Sequence, residues 1–193
     1  SGLTAYSALR KLPKFAVDDT LLLIGAGGLG LAALGLASAI TDARIVVSDI
    51  DEAKLAVAKE RGAGEVVNLT WPDAADRLRA IVGEGVRGVI DFVGTPETVD
   101  FALKAVGRGG VIVIVGLFGG AFPLSTALLP MRNITLRGSY VGSLQEMVDL
   151  LALLQESPVL DVPLDERPMA QINDALADLA AGKVSGRVVA IAD

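Results

Sequence analysis

Leu21-Leu22-Leu23-Ile24-Gly25-Ala26-Gly27-Gly28-Leu29-Gly30 is the stretch that decides how this chain folds. Four apolar residues closed by a glycine read as a buried strand ending in a tight turn. The residues that follow are rich in small side chains, Ala32, Ala33, Gly35 and Ala37 among them, and read as a helix over Gly28–Ile40 packed closely on that strand. In a strand–turn–helix of this glycine spacing, Gly25 permits the sharp turn and Gly27 lets the backbone approach a pyrophosphate. Gly30 lets the helix press against the strand. The helix start, where Gly28 and Leu29 stand, offers unpaired N–H groups and the positive end of the helix dipole to an anion. Leu21 to Ile40 is also uncharged and long enough to cross a bilayer. Its glycines, each costing a continuous helix about 1 kcal/mol relative to Ala, favour the strand–turn–helix reading.

The alternation continues outward. Apolar runs at Leu21–Ile24, Arg44–Val47, Glu65–Val67, Gly88–Val93 and Val111–Val115 are separated by helical patterns at Gly28–Ile40, Asp51–Arg61, Pro72–Val82 and Pro96–Val106. Repeated βα units with right-handed crossovers imply an α/β fold, a doubly wound parallel sheet with helices on both faces. Val111-Ile112-Val113-Ile114-Val115 is apolar on both sides, as a covered parallel strand should be. Asn133–Gly138 reads as a sixth strand, with an irregular edge between Phe122 and Arg137 that carries Pro123 and Pro130. Leu144–Gln155 and Ile172–Ala181 are helical, Val159–Arg167 is extended and Gly186–Ile191 is a closing strand. Thr4–Leu12 reads as a short opening helix. The expected domain core is residues 18–157, with 1–14 and 158–193 as terminal segments bordering a further domain.

The second strand ends in Ile45-Val46-Val47-Ser48-Asp49, which puts a carboxylate 19 positions after Gly30. Such an acid accepts hydrogen bonds from an adenosine ribose. Placed ~4 Å from a 2′-phosphate, it costs on the order of 4 kcal/mol per unit charge at an effective dielectric of 20. No arginine follows closely to offset that, so NAD is favoured over NADP. The competing assignment for Asp49 is the N-cap of the helix that begins near Asp51. Lys54, one turn into that helix, reads either as a ribose contact or as a solvated lysine.

Composition closes several routes. The 193 residues contain no cysteine and no histidine, so disulfides, imidazole acid–base chemistry and the usual zinc ligands are absent from the chain. The net charge of −6 and the lack of any Lys/Arg cluster exclude a nucleic-acid footprint. No basic-then-apolar signal segment opens the chain, and a cytoplasmic location is expected. A content of 52% hydrophobic residues is high enough that part of the surface is expected to be covered.

With these motifs in order, the chain resembles the medium-chain dehydrogenase/reductase family, and within it the zinc-dependent alcohol dehydrogenases. Gly2-Leu3-Thr4-Ala5-Tyr6 is similar to the family's G-x-T-x-Y entry to the cofactor domain, Asp91-Phe92-Val93-Gly94 and Val115-Gly116-Leu117 to its fourth and fifth strand ends. Gly138-Ser139-Tyr140-Val141-Gly142 resembles its G-S-Y-V-G turn, and Gly182-Lys183-Val184-Ser185-Gly186-Arg187-Val188-Val189 its closing G-K-x-x-G-R-x-V motif. The resemblance implies a Rossmann domain holding NAD through Thr4, Gly25, Gly27, Gly28, Leu29, Gly30, Asp49, Lys54, Val93, Gly94, Val115, Leu117, Val141 and Arg187. In that scheme Thr4 and Val141 meet the nicotinamide end and Arg187 reaches the pyrophosphate.

The same resemblance implies that zinc, its ligands, any catalytic residue and most of the substrate pocket lie in an N-terminal domain outside this chain. The chain itself is then expected to bind NAD without turnover. The substrate of the whole protein is expected to be an alcohol, aldehyde or ketone, and a homo-oligomer is expected through the sheet edge. Three alternatives remain open: a zinc-free quinone or enoyl reductase of the same family, a non-catalytic NAD-sensing module, and a methyltransferase. Asp49 argues against the first, the opening and closing motifs against the second, and Ile24, where methyltransferases place an acid, against the third.

Overall fold

The computed structural model describes residues 1–192. Strands β1 (Thr20–Ile24), β2 (Arg44–Asp49), β3 (Glu65–Asn68), β4 (Val86–Asp91), β5 (Val106–Ile114) and β6 (Thr135–Gly138) form one sheet in the order β3-β2-β1-β4-β5-β6. Every neighbouring pair is parallel. This is the doubly wound Rossmann order, in which the connections reverse direction between β1 and β4 and leave a crevice at the carboxyl ends of those strands.

Helices α1 (Gly2–Leu9), α2 (Gly28–Ile40), α3 (Glu52–Glu60), α4 (Ala74–Val82), α5 (Pro96–Ala105), α6 (Leu128–Arg132) and α7 (Leu144–Glu156) flank the sheet. Alternation along each strand builds the two cores. Leu21, Leu23, Ile45 and Val47 pack with α1, α2, α3 and Leu150 of α7. Leu22, Ile24, Val46 and Ile112 pack with Leu78 of α4 and Ala102 of α5 on the opposite face. Each fully buried Leu or Ile contributes about 1.5–3 kcal/mol relative to an exposed one, so β1, buried at all five positions, anchors both layers. The stretch from Leu21 to Ile40 is therefore strand, turn and helix, and among the described residues no helix is long and apolar enough to cross a membrane.

Four details depart from the sequence expectation. The opening helix is Gly2–Leu9 rather than Thr4–Leu12, and its Ala5, Tyr6, Ala8 and Leu9 are buried in the first core, so residues 1–14 contribute to this core themselves. Strand β5 starts at Val106, where it pairs with Val86 before an irregularity in register; Gly107, Gly109 and Gly110 mask this part of the strand in the sequence. Strand β4 ends at Asp91, two residues earlier than expected, because the Asp91 carboxylate turns the chain (below). Helix α6 has no counterpart in the sequence pattern; it ends at Asn133, whose left-handed conformation (φ 53°) closes it.

Beyond α7, strand β7 (Leu164–Pro168), a 3-10 turn (Met169–Gln171), helix α8 (Ile172–Ala180) and strand β8 (Arg187–Ile191) complete the described chain. β7 and β8 pair in parallel as a separate two-stranded sheet. Arg167 ties it to α8, donating to Asp165 and Asp178 at 2.9 Å each.

Candidate functional site

The site lies at the carboxyl ends of β1, β2, β4 and β5. Gly25, at φ 98°, makes the turn after β1 that only glycine takes readily, and its N–H donates to Ser48 O at 2.7 Å. The next residue locks the turn to the neighbouring strand: Ala26 N donates to Asp49 Oδ2 at 2.6 Å. Asp49 Oδ1 accepts from Ile50 N at 2.7 Å and Asp51 N at 3.1 Å. The glycine turn and the acidic strand tip are thus hydrogen-bonded to one another. The helix cap that competes as a role for Asp49 belongs to Asp51, whose Oδ1 accepts from Ala53 N and Lys54 N. A carboxylate has about four lone-pair sites; three backbone donors leave one on the half-buried Asp49 for a ligand hydroxyl.

Glycine at the helix start is demanded by packing. A Cβ on Gly30 would lie 1.8 Å from Gly25 O, so the third glycine is where α2 meets the turn. A Cβ on Gly28 would lie 2.5 Å from Arg187 Nε and 2.8 Å from Gly186 O. Arg187, from β8, therefore lays its side chain across the N-terminus of α2, where it reinforces the positive end of the helix dipole. Its Nε donates to Ser1 Oγ at 2.6 Å. Of the glycines in this turn only Gly27 is free, with nothing within 4 Å of the place a side-chain carbon would take.

Two hollows flank this turn. The narrower, about 350 Å³, is lined by Gly25, Gly27, Gly28, Leu29, Gly30, Asp49, Lys54, Val93 and Arg187 of the expected residues. The wider, about 660 Å³, is lined by Thr4, Leu29, Val115, Leu117 and Val141. Leu29, Phe92 and Phe118 belong to both, so the hollows form one elongated cleft. Gly94 lines neither. It sits at φ 76° with its α-carbon against the segment that follows β5, where a Cβ would come within 2.2 Å of Gly116 O. Lys54 is half-buried, and its ammonium stands 3.8 Å from Asp51 Oδ2.

The floor of the cleft is organised by Asp91, which is fully buried. Its Oδ1 accepts from Val93 N at 2.9 Å and Gly94 N at 3.0 Å, and its Oδ2 accepts from Thr98 Oγ1 at 2.7 Å. Its backbone carbonyl accepts from Val115 N and Gly116 N. One residue thereby fixes the ends of β4 and β5 and the start of α5. Sequence reasoning does not assign Asp91 this role, nor does it find Ile50, Leu69, Thr98, Leu179 and Val184, which also line the narrower hollow. The available signal was Ile50, an isoleucine directly after the strand-end acid, which the structure leaves 68% exposed.

Chemically, the cleft suits a long ligand with an anionic centre, a polyhydroxylated group at Asp49 and a flat apolar end in the wider hollow. Among the described residues no group of three or more His, Cys, Asp or Glu side chains could hold a metal ion. With no histidine or cysteine in the chain, the donor set does not fit zinc.

Residues 28–156 match the zinc-binding dehydrogenase family. The chain belongs to that family. It is 33% identical to the NAD-dependent alcohol dehydrogenase of Saccharolobus solfataricus over 193 residues, covering 99% of this chain and 55% of that protein. It is 34% identical to the alcohol dehydrogenase of a Moraxella species, again covering 55% of it. The chain therefore spans about half the length of the curated relatives it matches. Among solved structures it is similar to the alcohol dehydrogenase of the archaeon Aeropyrum pernix, with a TM-score of 0.88 and 34% identity over 98% of this chain and 55% of that one. It is also similar to the acetophenone reductase of Geotrichum candidum, solved in complex with NAD, with a TM-score of 0.83 and 26% identity over 97% and 52% of the two chains. The resemblance to zinc-dependent alcohol dehydrogenases and the Rossmann architecture read from the sequence are both borne out.

Proposed function

We propose that the cleft binds NAD and that this chain is the cofactor-holding half of an alcohol dehydrogenase. The observation that carries this reading is the 2.6 Å hydrogen bond from Ala26 N to Asp49, which brings the pyrophosphate turn and the ribose acid to one ligand-sized site. In this reading the adenosine ribose donates to the remaining lone pair of Asp49, with Ile50 and Leu69 against the base. The pyrophosphate meets the N–H groups of Gly27, Gly28 and Leu29 and the guanidinium of Arg187. Charge-assisted hydrogen bonds of that kind are worth about 1.5–3 kcal/mol each. The nicotinamide occupies the wider hollow beside Thr4, Val115, Leu117 and Val141. Bound NAD supplies a hydride acceptor. The chain's own residues bind and orient it, with apolar surface from Leu29 and Phe92 along the cleft.

No group in the cleft is placed as a general base, and the chain offers no zinc ligands, so we assign the metal, the substrate pocket and the chemical step to a part of the protein outside residues 1–193. The substrate is then an alcohol or its carbonyl partner, and this chain alone binds NADH without turnover. Titration with NADH, followed by calorimetry and by NADH fluorescence, tests this reading: saturable one-site binding is expected, with no binding of S-adenosylmethionine. The reverse preference would mean a methyltransferase site.

β6 is a sheet edge, and Met131 beside it is 69% exposed. We propose that this edge pairs with a second copy, which removes an open row of strand donors and acceptors. Sedimentation velocity should show a dimer that Leu136→Pro converts to a folded monomer; a wild-type monomer at high concentration contradicts the pairing.

A further inference from the structure

Cations that lie far apart in the sequence converge at the amino ends of the strands, the end of the sheet opposite the cleft. Of the 17 Lys and Arg side chains, Arg10, Lys14 and Arg108 are the only ones that make neither a hydrogen bond nor an ion pair among the described residues. All three are exposed, and they line two hollows that share Lys14. The first hollow, about 390 Å³, has apolar walls from Tyr6, Leu9, Phe15 and Ile40, with Arg10 among its lining residues. The second, about 530 Å³, is lined by Lys14, Arg87 and Arg108 against two acids, Asp19 and Glu84. Asp19 Oδ2 already accepts from Ala16 N at 2.7 Å, and Arg87 Nη1 donates to Gly109 O at 2.9 Å.

Cations near helix ends ordinarily serve the last carbonyls of the helix, and here other groups meet that need. Tyr6 O, Ala8 O and Leu9 O of α1 accept from Arg10 N, Lys11 N and Leu12 N, and Ser7 O accepts from Lys11 Nζ. At the end of α5, Arg132 donates to Leu103 O and Val106 O. The three free cations are therefore left over in a chain whose net charge is −6. Asp42 and the carboxyl end of α2 border the first hollow and disfavour an anion there, so charge favours one in the second.

We propose that the two hollows together bind a small amphipathic anion, with its carboxylate or phosphate at Lys14 and Arg108 and its apolar body against Tyr6, Leu9, Phe15 and Ile40. Small-molecule sites are typically hollows of about 300–1,000 Å³ with apolar walls and a few convergent polar groups. Lys14, Arg87 and Arg108 repel one another when nothing lies between them, and an anion among them is held by charge-assisted hydrogen bonds. The site stands at the other end of the five-residue strand β1 from Gly25, about 16 Å away. It does not depend on the NAD reading of the cleft, and the two sites fill independently.

Calorimetric titration of the chain with octyl phosphate and with octanoate, each below its micellar concentration, tests the site. Saturable binding of one molecule is expected for at least one of the two, unaffected by saturating NADH, and the tighter ligand names the anionic group. Octanol, which lacks the charge, and inorganic phosphate, which lacks the apolar body, should each bind at least about tenfold more weakly. Lys14→Glu and Arg108→Glu should each weaken binding about fivefold or more. Both side chains are free of partners, so the thermal midpoint should stay within about 2 °C of wild type. Lys59→Glu, the same change of charge on α3, should leave binding unaltered. Absence of saturable binding by both probes, equal affinity for octanol, displacement by NADH, or unchanged affinity in both charge-reversed variants would overturn the proposal.

Discussion

Gly30→Ala is expected to unfold the site from within. The added carbon would lie 1.8 Å from Gly25 O and 2.9 Å from Gly25 C, and both are backbone atoms that no side-chain rotation can move. Helix α2 must lift from β1, or the turn must open. The helix carries Leu31, Ala32, Leu34, Leu36 and Ala37, all buried in the first core, so lifting it disturbs a whole layer. Overpacking of this kind costs typically 1–3 kcal/mol and sometimes more; with backbone as the obstacle we expect about 3 kcal/mol. For a domain of this size that lowers the thermal midpoint by about 6–12 °C. NADH binding should be lost in the same variant, because the turn that presents the pyrophosphate donors is the part that moves. A scanning calorimetry trace within 2 °C of wild type would show that α2 does not depend on this contact.

Gly27→Ala is expected to do the opposite: leave the fold intact and weaken binding. Gly27 has φ −78° and ψ −168°, an extended conformation that alanine adopts without strain, and no atom lies within 4 Å of the added carbon. The cost to stability is that of a poorer helix N-cap, about 0.5 kcal/mol. Gly27 lines the narrower hollow, however, and in the proposed NAD site this is the space the pyrophosphate needs for the backbone N–H groups to reach it. NADH affinity should fall at least tenfold while the circular dichroism melt stays within about 2 °C of wild type. A variant that binds NADH as tightly as wild type would place the pyrophosphate elsewhere. Two glycines three positions apart are thus expected to respond differently, Gly30 in stability and Gly27 in binding.

The turn at Gly25, the packing at Gly30 and the pairing of this turn with Asp49 are legible in the sequence because they follow from local pattern. A strand, a turn and a helix start are contiguous, and the parallel register brings the tip of β2 beside that of β1. The doubly wound sheet follows from the alternation of short apolar runs with helical ones. What the sequence hides depends on contacts between distant segments. Asp91 reads as an ordinary strand-end residue until its carboxylate is seen to accept from Val93, Gly94 and Thr98. Gly94 is placed in a motif by the sequence, but its close approach to Gly116 is seen only in the folded chain. The left-handed conformation of Val141, φ 50°, has no signature at all in a valine. The narrower hollow also draws Leu179 and Val184 from the far end of the chain, and only the path of α8 and β8 brings them there.

The most direct test is calorimetric titration of the wild-type chain and of Asp49→Asn with NADH and with NADPH. The carboxylate beside the glycine turn should repel a 2′-phosphate by about 2–3 kcal/mol after allowance for its partial exposure, which is roughly a hundredfold preference for NADH. Removing the charge should reduce that preference to less than tenfold, mainly through weaker NADH binding and stronger NADPH binding. Equal affinities of the wild-type chain for the two cofactors, or an undiminished preference in Asp49→Asn, would contradict a site in which Asp49 and the glycine turn grip one NAD molecule.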